Sequence, residues 1–148
     1  MKNNKFAKYF REYEWSNILA MIRNNKSDPE ICNKSSEGKL VVITGATSGI
    51  GYHTARKYAS KGANLLCINR NIIKSEALRQ EIESEFGVKC GYITADLSNL
   101  QDIHRVANEL LNLRTPIDVL IFNAGIYLTK RELTQEGLDK VFVVQYLS

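Results

Sequence analysis

The apolar run Leu40 to Ile43 passes directly into a glycine-rich segment, residues 44–51, with the sequence TGATSGIG. An apolar strand that leads through such a turn into a helix directs backbone N–H groups and the helix N-terminus toward one point. That arrangement favours a phosphate group at this point. No other feature of the chain restricts its fold and its ligand as strongly, because a strand, a turn and a helix follow in fixed order.

The three glycines of this segment are expected to have different tasks. Gly45 lets the chain turn sharply off the strand, Gly49 leaves room for a pyrophosphate, and Gly51 lets the helix lie close to the sheet. The spacing differs from G-x-G-x-x-G, because three residues separate the first two glycines. A Walker loop is excluded as well, because no Lys-Ser or Lys-Thr pair follows the glycines.

Composition limits the class of protein. The chain has 148 residues, of which 44% are hydrophobic, which suits one globular domain or part of one. The net charge is +4, but the basic residues are scattered, so no nucleic-acid partner is expected. Cys32, Cys67 and Cys90 lack the spacing of metal ligands, and no metal is expected. Free cysteines and the lack of a signal peptide predict a reducing, cytoplasmic location.

Residues 1–38 are predicted to form a helical extension and a linker ahead of a domain that covers residues 39–148. Phe6, Tyr9, Phe10 and Tyr13 recur at helical spacing among lysines. Two interpretations stay open for this helix. It packs on the domain or on a partner, or it lies at a membrane surface with its aromatic side chains among the lipid headgroups. The segment from Asn24 to Gly38 is predicted to be the linker.

Beyond residue 38, apolar runs alternate with helical patterns. This alternation predicts an α/β fold of the Rossmann type, a doubly wound parallel sheet with the strand order 3-2-1-4. The predicted strands are Leu40–Thr44, Asn64–Asn69, Val88–Thr94 and Ile117–Phe122. The predicted helices are Gly49–Lys61, Ile72–Phe86, Ser98–Leu113 and a helix from Thr134 onward. The third of them is expected to start with the capping box Ser98-x-x-Gln101.

Four motifs in this order resemble the short-chain dehydrogenase/reductase family, over residues 39–148. They are the segment 44–51, Ala95-Asp96-Leu97-Ser98, Asn123-Ala124-Gly125, and residues 130–138 with the sequence KRELTQEGL. The last of these resembles the retinol-dehydrogenase-like branch. The resemblance implies a nicotinamide cofactor. The expected cofactor-binding residues are Gly45, Thr47, Ser48, Gly49, Ile50, Gly51, Arg70, Asn71, Asp96, Leu97, Asn123, Ala124 and Gly125.

Two of these motifs also allow a purely structural interpretation. The resemblance implies that Asp96 contacts the adenine ring, but an Asp at this place also forms turns and helps to cap the next helix. The resemblance also implies that Asn123 braces the sheet beside the cofactor ribose. The alternative is a tight turn in which Gly125 has a positive φ.

The end of the second strand is expected to select the cofactor. A carboxylate there would bind the ribose hydroxyls of NAD and repel a 2′-phosphate, whereas this chain has Asn69-Arg70-Asn71. A guanidinium can form a forked, charge-assisted contact with the phosphate. The sequence therefore predicts NADP rather than NAD, with Arg70 decisive. A solvated arginine at a strand end is the alternative.

Family catalysis uses a Ser and a Tyr-x-x-x-Lys, and neither can be placed in this chain. Tyr52 and Tyr127 are each followed four residues later by Arg. Gln145 aligns with an Asn that supports a proton relay in the family. The resemblance implies an oxidoreductase that acts on a carbonyl or alcohol, and its branch implies a lipophilic substrate. It also implies homo-oligomers, and the chain is expected to be inactive when it stands alone. The alternative is a non-catalytic nucleotide-binding or interaction protein from a truncated or decayed gene of this family.

Overall fold

The computed structural model describes residues 15–26 and 33–148. The chain divides into two compact units, Met1–Asn33 and Lys34–Ser148. In the first unit, helix α1 spans Trp15–Lys26 and carries the exposed apolar side chains Leu19 and Met21. The helix therefore includes Asn24, which the sequence assigned to the linker. The aromatic residues at positions 6, 9, 10 and 13 lie outside the described residues.

The second unit contains a parallel sheet of four strands in the order β3-β2-β1-β4. This order confirms the predicted Rossmann-type fold. The elements are β1 (Leu40–Thr44), α2 (Gly49–Ala59), β2 (Asn64–Asn69), α3 (Ile72–Phe86), β3 (Cys90–Thr94), α4 (Leu100–Leu111), β4 (Val119–Ile121), α5 (Lys140–Phe142) and a π-helix (Val143–Leu147).

The central strand β1 is buried on both faces. Val41 and Ile43 face one apolar core cluster, which includes Ala55 of α2 and Ile82 of α3. Val42 faces the other cluster, which includes Val106 of α4. Alternate side chains of a strand point to opposite faces, so helices on both sides of the sheet explain the continuous apolar run.

The strand register brings polar residues together at one edge of the sheet. Thr44 pairs with Ile68, and Ile43 pairs with Ile121. The residues that follow these strands therefore lie side by side, because all the strands are parallel and end at the same edge. Asn69 and Asn123 reach this edge from positions far apart in the chain.

Helix α4 begins later than predicted, and the expected capping box at Ser98 is wrong. Asn99 is the N-cap, and its side chain accepts a hydrogen bond from the Gln101 N–H at 2.9 Å. The Ser98 hydroxyl instead donates to Asp96 Oδ1 at 2.8 Å. Strands β3 and β4 are also shorter than predicted, since they start at Cys90 and Val119.

The helix predicted from Thr134 is also wrong at its start. The Gly137 N–H donates to the Thr134 carbonyl at 3.0 Å and closes a turn, and Leu133 and Asp139 form an antiparallel bridge. Helix α5 starts only at Lys140, where the Asp139 side chain accepts two N–H groups of the first turn. Asp139 thus supplies the cap that the sequence pattern placed earlier.

Candidate functional site

A cleft of about 780 Å³ lies at the carboxyl edge of the sheet. Its walls come from the glycine-rich turn after β1, from the end of β2 and from the segments that follow β3 and β4. The predicted residues that line it are Gly45, Thr47, Ser48, Ile50, Arg70, Asn71, Asp96, Leu97, Asn123, Ala124 and Gly125. Of the other predicted residues, Gly49, Gly51 and Gln145 do not line it.

The glycine-rich turn is packed tightly at two of its glycines and open at the third. Gly45 has φ +70°, and a β-carbon there would lie 3.0 Å from the Ala124 Cα. A β-carbon on Gly51 would come well inside 3.0 Å of both the Gly45 carbonyl oxygen and the Asn123 amide nitrogen. A β-carbon on Gly49 would meet no protein atom within 4 Å. The turn therefore fits closely against the sheet and leaves space beside Gly49.

The N-terminus of α2 faces this cleft through Ser48 and Ile50. Ser48 is the N-cap residue, but its side chain forms no capping hydrogen bond, and the first turn of α2 contains no acidic residue. The N–H groups at a helix start carry partial positive charge and need an acceptor. This helix end can therefore accept an anionic group.

A set of four hydrogen bonds joins β1 to the segment after β4. The Thr44 hydroxyl accepts the N–H groups of Asn123 and Ala124 at 3.0 and 2.9 Å. The Asn123 amide nitrogen donates to the carbonyl oxygens of Thr44 and Gly45 at 3.1 and 3.0 Å. Asn123 thus ties the glycine-rich turn and β1 to the segment after β4, and its place beside the cofactor ribose stays a prediction. The alternative based on Gly125 is wrong, because Gly125 does not have a positive φ.

Asn69 supports the turn from the other side. The residue is 3% exposed, and its Oδ1 accepts the Ala46 N–H at 2.8 Å. Its Nδ2 is buried without a hydrogen-bond partner among the described residues, and Asn69 lines the cleft. Thr44 and Asn69 were not among the predicted site residues. The signal that could have indicated them is a polar residue at the end of an otherwise buried strand.

Arg70 and Asn71 follow β2 at the cleft. Arg70 is exposed and forms no ion pair with any residue in the described parts of the chain. Asn71 is the N-cap of α3, and its Oδ1 accepts the Lys74 N–H at 2.9 Å. The guanidinium is therefore available to an anion, whereas the Asn71 side-chain oxygen is already engaged.

Asp96 forms the turn that the structural interpretation predicted, while it also lines the cleft. Its Oδ1 accepts the Ser98 N–H at 2.9 Å, and its own N–H donates to Asp102 Oδ2 at 2.9 Å. That backbone N–H, and next the Arg105 guanidinium, hold the pKa of Asp102 below its usual range. Asp102 thus ties the first turn of α4 to the segment beside the cleft.

We expect replacement of Asp102 by Asn to lower the free energy of unfolding at pH 7 more than at pH 3. A carboxylate whose pKa is depressed by folding stabilises the folded state above its unfolded pKa of about 3.9. This contribution is lost as the pH falls through the lower folded-state pKa. Urea unfolding at pH 7, 5 and 3 measures the difference between the two proteins.

The matched control for this experiment is Glu109→Gln. Glu109 also pairs with Arg105, at 2.8 Å, but accepts no backbone N–H. We expect a smaller effect for this variant at every pH, since exposed ion pairs contribute little. Equal losses in the two variants, or a loss in D102N that does not change with pH, would contradict the role given to Asp102.

Gln145 lies in the π-helix and is exposed. Its Nε2 donates to the carbonyl oxygen of Ile126, a residue that lines the cleft, at 3.2 Å. Within residues 15–26 and 33–148, no three His, Cys, Asp or Glu side chains form a group that could hold a metal ion. None of the helices in the described parts has the length and hydrophobicity needed to cross a bilayer.

Comparison with known proteins places this site in a family. The model of the short chain dehydrogenase family matches residues 39–148. WW domain-containing oxidoreductase from Homo sapiens is 36% identical over 74% of this chain and 27% of its own length. Retinol dehydrogenase 12 from Mus musculus is 34% identical over 78% of this chain and 37% of its own length.

A solved structure shows the same fold. The short-chain dehydrogenase from Sphingobium yanoikuyae in complex with NADPH has a TM-score of 0.66 and 31% identity, and the match covers 74% of this chain and 43% of that one. The chain thus spans less than half the length of each of these proteins. With its sheet order, its glycine-rich turn and the family match over residues 39–148, the chain belongs to the short-chain dehydrogenase/reductase family.

Proposed function

We propose that residues 39–148 bind NADP in preference to NAD. They would form the cofactor-binding part of an oxidoreductase that interconverts a carbonyl and an alcohol. The similarity to retinol dehydrogenase 12 supports a lipophilic substrate. One observation carries the preference for NADP: Arg70 lines the cleft at the end of β2 without an ion pair to any described residue. The NADPH complex of the Sphingobium yanoikuyae relative supports it.

The residues of the cleft suit the parts of a dinucleotide. The N-terminus of helix α2, which faces the cleft through Ser48 and Ile50, would take the diphosphate, and Arg70 would pair with the 2′-phosphate. Asp96 and Leu97 would lie beside the adenine ring. The cofactor supplies hydride transfer at its nicotinamide, while the protein binds and orients it.

We expect Arg70→Asp to reverse the nucleotide preference. Loss of a charge-assisted contact and the added repulsion should weaken NADPH binding by about 10- to 100-fold, while NADH binding is retained or improved. Titration of the purified chain with NADPH and NADH, followed by nicotinamide fluorescence, measures both dissociation constants. Arg114→Asp, at an exposed position outside the cleft, is the matched control. An unchanged ratio in R70D would refute the assignment.

A second candidate is a nucleotide-binding protein of this family without catalysis. Gln145 supports it, because its amide is engaged with the Ile126 carbonyl where the family uses an Asn for a proton relay. We expect this chain alone to be inactive, since it contains no Tyr-x-x-x-Lys. Cytoplasmic location, membrane contact through residues 1–38 and homo-oligomer formation stay predictions.

A further inference from the structure

We propose that the amino edge of the sheet, opposite the cleft, binds the surface of an anionic lipid bilayer. We call it the basic edge and define it by the cations that precede the strands together with one exposed leucine: Lys39, Lys61, Lys89, Arg114 and Leu111. All four strands are parallel, so their starting ends lie together. Residues that are scattered along the sequence therefore meet at this edge. Such binding would not require the proposed nucleotide.

Three lysines meet around Asn64, the first residue of β2. The Asn64 N–H donates to the Lys39 carbonyl oxygen at 2.9 Å, and the Asn64 Oδ1 accepts the Lys89 N–H at 3.0 Å. Ser36 brings in the third, since its N–H donates to the Lys61 carbonyl oxygen at 2.8 Å and its own carbonyl accepts the Lys39 N–H at 3.1 Å. Hydrogen bonds thus hold the backbones of the three lysines side by side.

The positive charge of this edge is not neutralised. None of the three lysines forms an ion pair with any residue that the structure describes. The glutamates of α3 pair instead with Arg56 and Arg79. The Asp118 carboxylate accepts a backbone N–H of β1. Glu37 is exposed and offsets one charge, but Arg114 is exposed as well and adds another. Several cations are therefore left for an external anionic surface.

An exposed apolar side chain accompanies these charges. Leu111, at the C-terminal end of α4, is 82% exposed, and the loop that follows it carries Arg114. The end of that loop lies beside the start of β1, because Asp118 Oδ2 accepts the Leu40 N–H at 2.8 Å. In a bilayer, lipid phosphates would meet the cations, while the leucine enters the boundary of the acyl chains. A nucleic acid would use the cations alone, so the leucine favours a membrane.

The first compact unit has features that suit the same partner. Helix α1 contains Arg23 and Lys26, lacks acidic residues, and exposes Leu19 and Met21. One weak attachment gives marginal membrane binding, whereas two attachments on one chain strengthen each other. The basic edge would thus be a second attachment, separate from the one predicted for residues 1–38. The cleft at the opposite edge would stay open to the solution.

The test is co-sedimentation of the full chain with phosphatidylcholine vesicles that contain either no phosphatidylserine or a share of about 30%. We expect binding to the anionic vesicles only, with a loss in about 0.5 M NaCl. A triple substitution at the basic edge should lower the partition coefficient by about 10-fold or more: K39Q, K61Q and K89Q. The matched control removes three cations at or next to the cleft and should change it by less than about 2-fold: K74Q, K130Q and R131Q.

The apolar contribution is tested separately. Leu111→Ser should lower the partition coefficient by about 3-fold or more, because a leucine that enters the bilayer leaves water. Ile73→Ser is the matched control, since Ile73 is 81% exposed but lies in the first turn of α3, at the other edge. We expect this control to bind like the unaltered chain. Circular dichroism verifies that every variant is folded.

Each outcome supports or overturns the membrane assignment. A loss confined to the lysine triple and to L111S supports it. Equal losses in the two triple variants would show a response to net charge alone and would overturn it. It is also overturned if the unaltered chain ignores phosphatidylserine, or if the lysine triple binds normally, because any attachment then lies outside the basic edge. If L111S binds like the unaltered chain while a DNA duplex competes with the vesicles, the edge is a polyanion site instead.

Discussion

Replacement of Gly51 by alanine should abolish NADPH binding and lower the free energy of unfolding by about 2–3 kcal/mol. The new methyl group would overlap the Gly45 carbonyl oxygen and the Asn123 amide nitrogen. Both neighbours are held in place, since that amide is hydrogen-bonded to the carbonyls of Thr44 and Gly45. Helix α2 must therefore move away from the sheet, and the turn that would take the diphosphate moves with it. Urea unfolding and NADPH titration measure the two losses.

Gly91→Ala is the control for this substitution. A β-carbon on Gly91 would lie 3.5 Å from the Leu66 Cδ1, an ordinary van der Waals contact with a flexible side chain. We expect this variant to bind NADPH normally and to be as stable as the parent or slightly more so, because alanine restricts the unfolded chain. If G51A has the same free energy of unfolding and the same NADPH affinity as the unaltered chain, neither property requires the close fit of α2 on the turn.

Much of the fold could be predicted because its signals are local. The apolar run Leu40 to Ile43, followed by three spaced glycines, defines a strand and a helix start within a dozen residues. Alternating patterns and the handedness of crossovers then fix the strand order. The prediction that a helix starts at Thr134 was wrong for an equally local reason. Asp139 competes for the role of N-cap, and the bridge between Leu133 and Asp139 favours a turn before it.

The site was less predictable where it depends on long-range contacts. The Thr44 hydroxyl meets N–H groups that lie 79 and 80 residues away, and Asn69 meets the Ala46 N–H across 23 residues. Such partners follow from the strand register, which a single sequence does not specify.

Substitution of Asn123 by Asp should lower the free energy of unfolding by about 3 kcal/mol at pH 8, with NADPH binding lost in parallel. The amide nitrogen donates to two carbonyl oxygens, and a carboxylate would instead place negative charge against both. Two hydrogen bonds are lost, and the two carbonyl oxygens then face a negative charge. A buried acceptor left without a donor costs about 1–3 kcal/mol. The link between β1 and the segment after β4 would then be weakened to two hydrogen bonds, those that the Thr44 hydroxyl accepts from the Asn123 and Ala124 N–H groups.

The loss should depend on pH in a defined direction. Burial against carbonyl oxygens favours the protonated carboxyl, which can donate one hydrogen bond, so the destabilisation of N123D should be smaller at about pH 4 than at pH 8. Asn108→Asp, on the exposed surface of α4, makes the same chemical change without such acceptors. We expect that control to alter stability by less than about 0.5 kcal/mol at either pH. Urea unfolding curves at pH 4 and pH 8 measure the free energy of unfolding of both variants and of the unaltered chain. If N123D and N108D lose the same stability, the Asn123 amide does not hold the turn to the sheet.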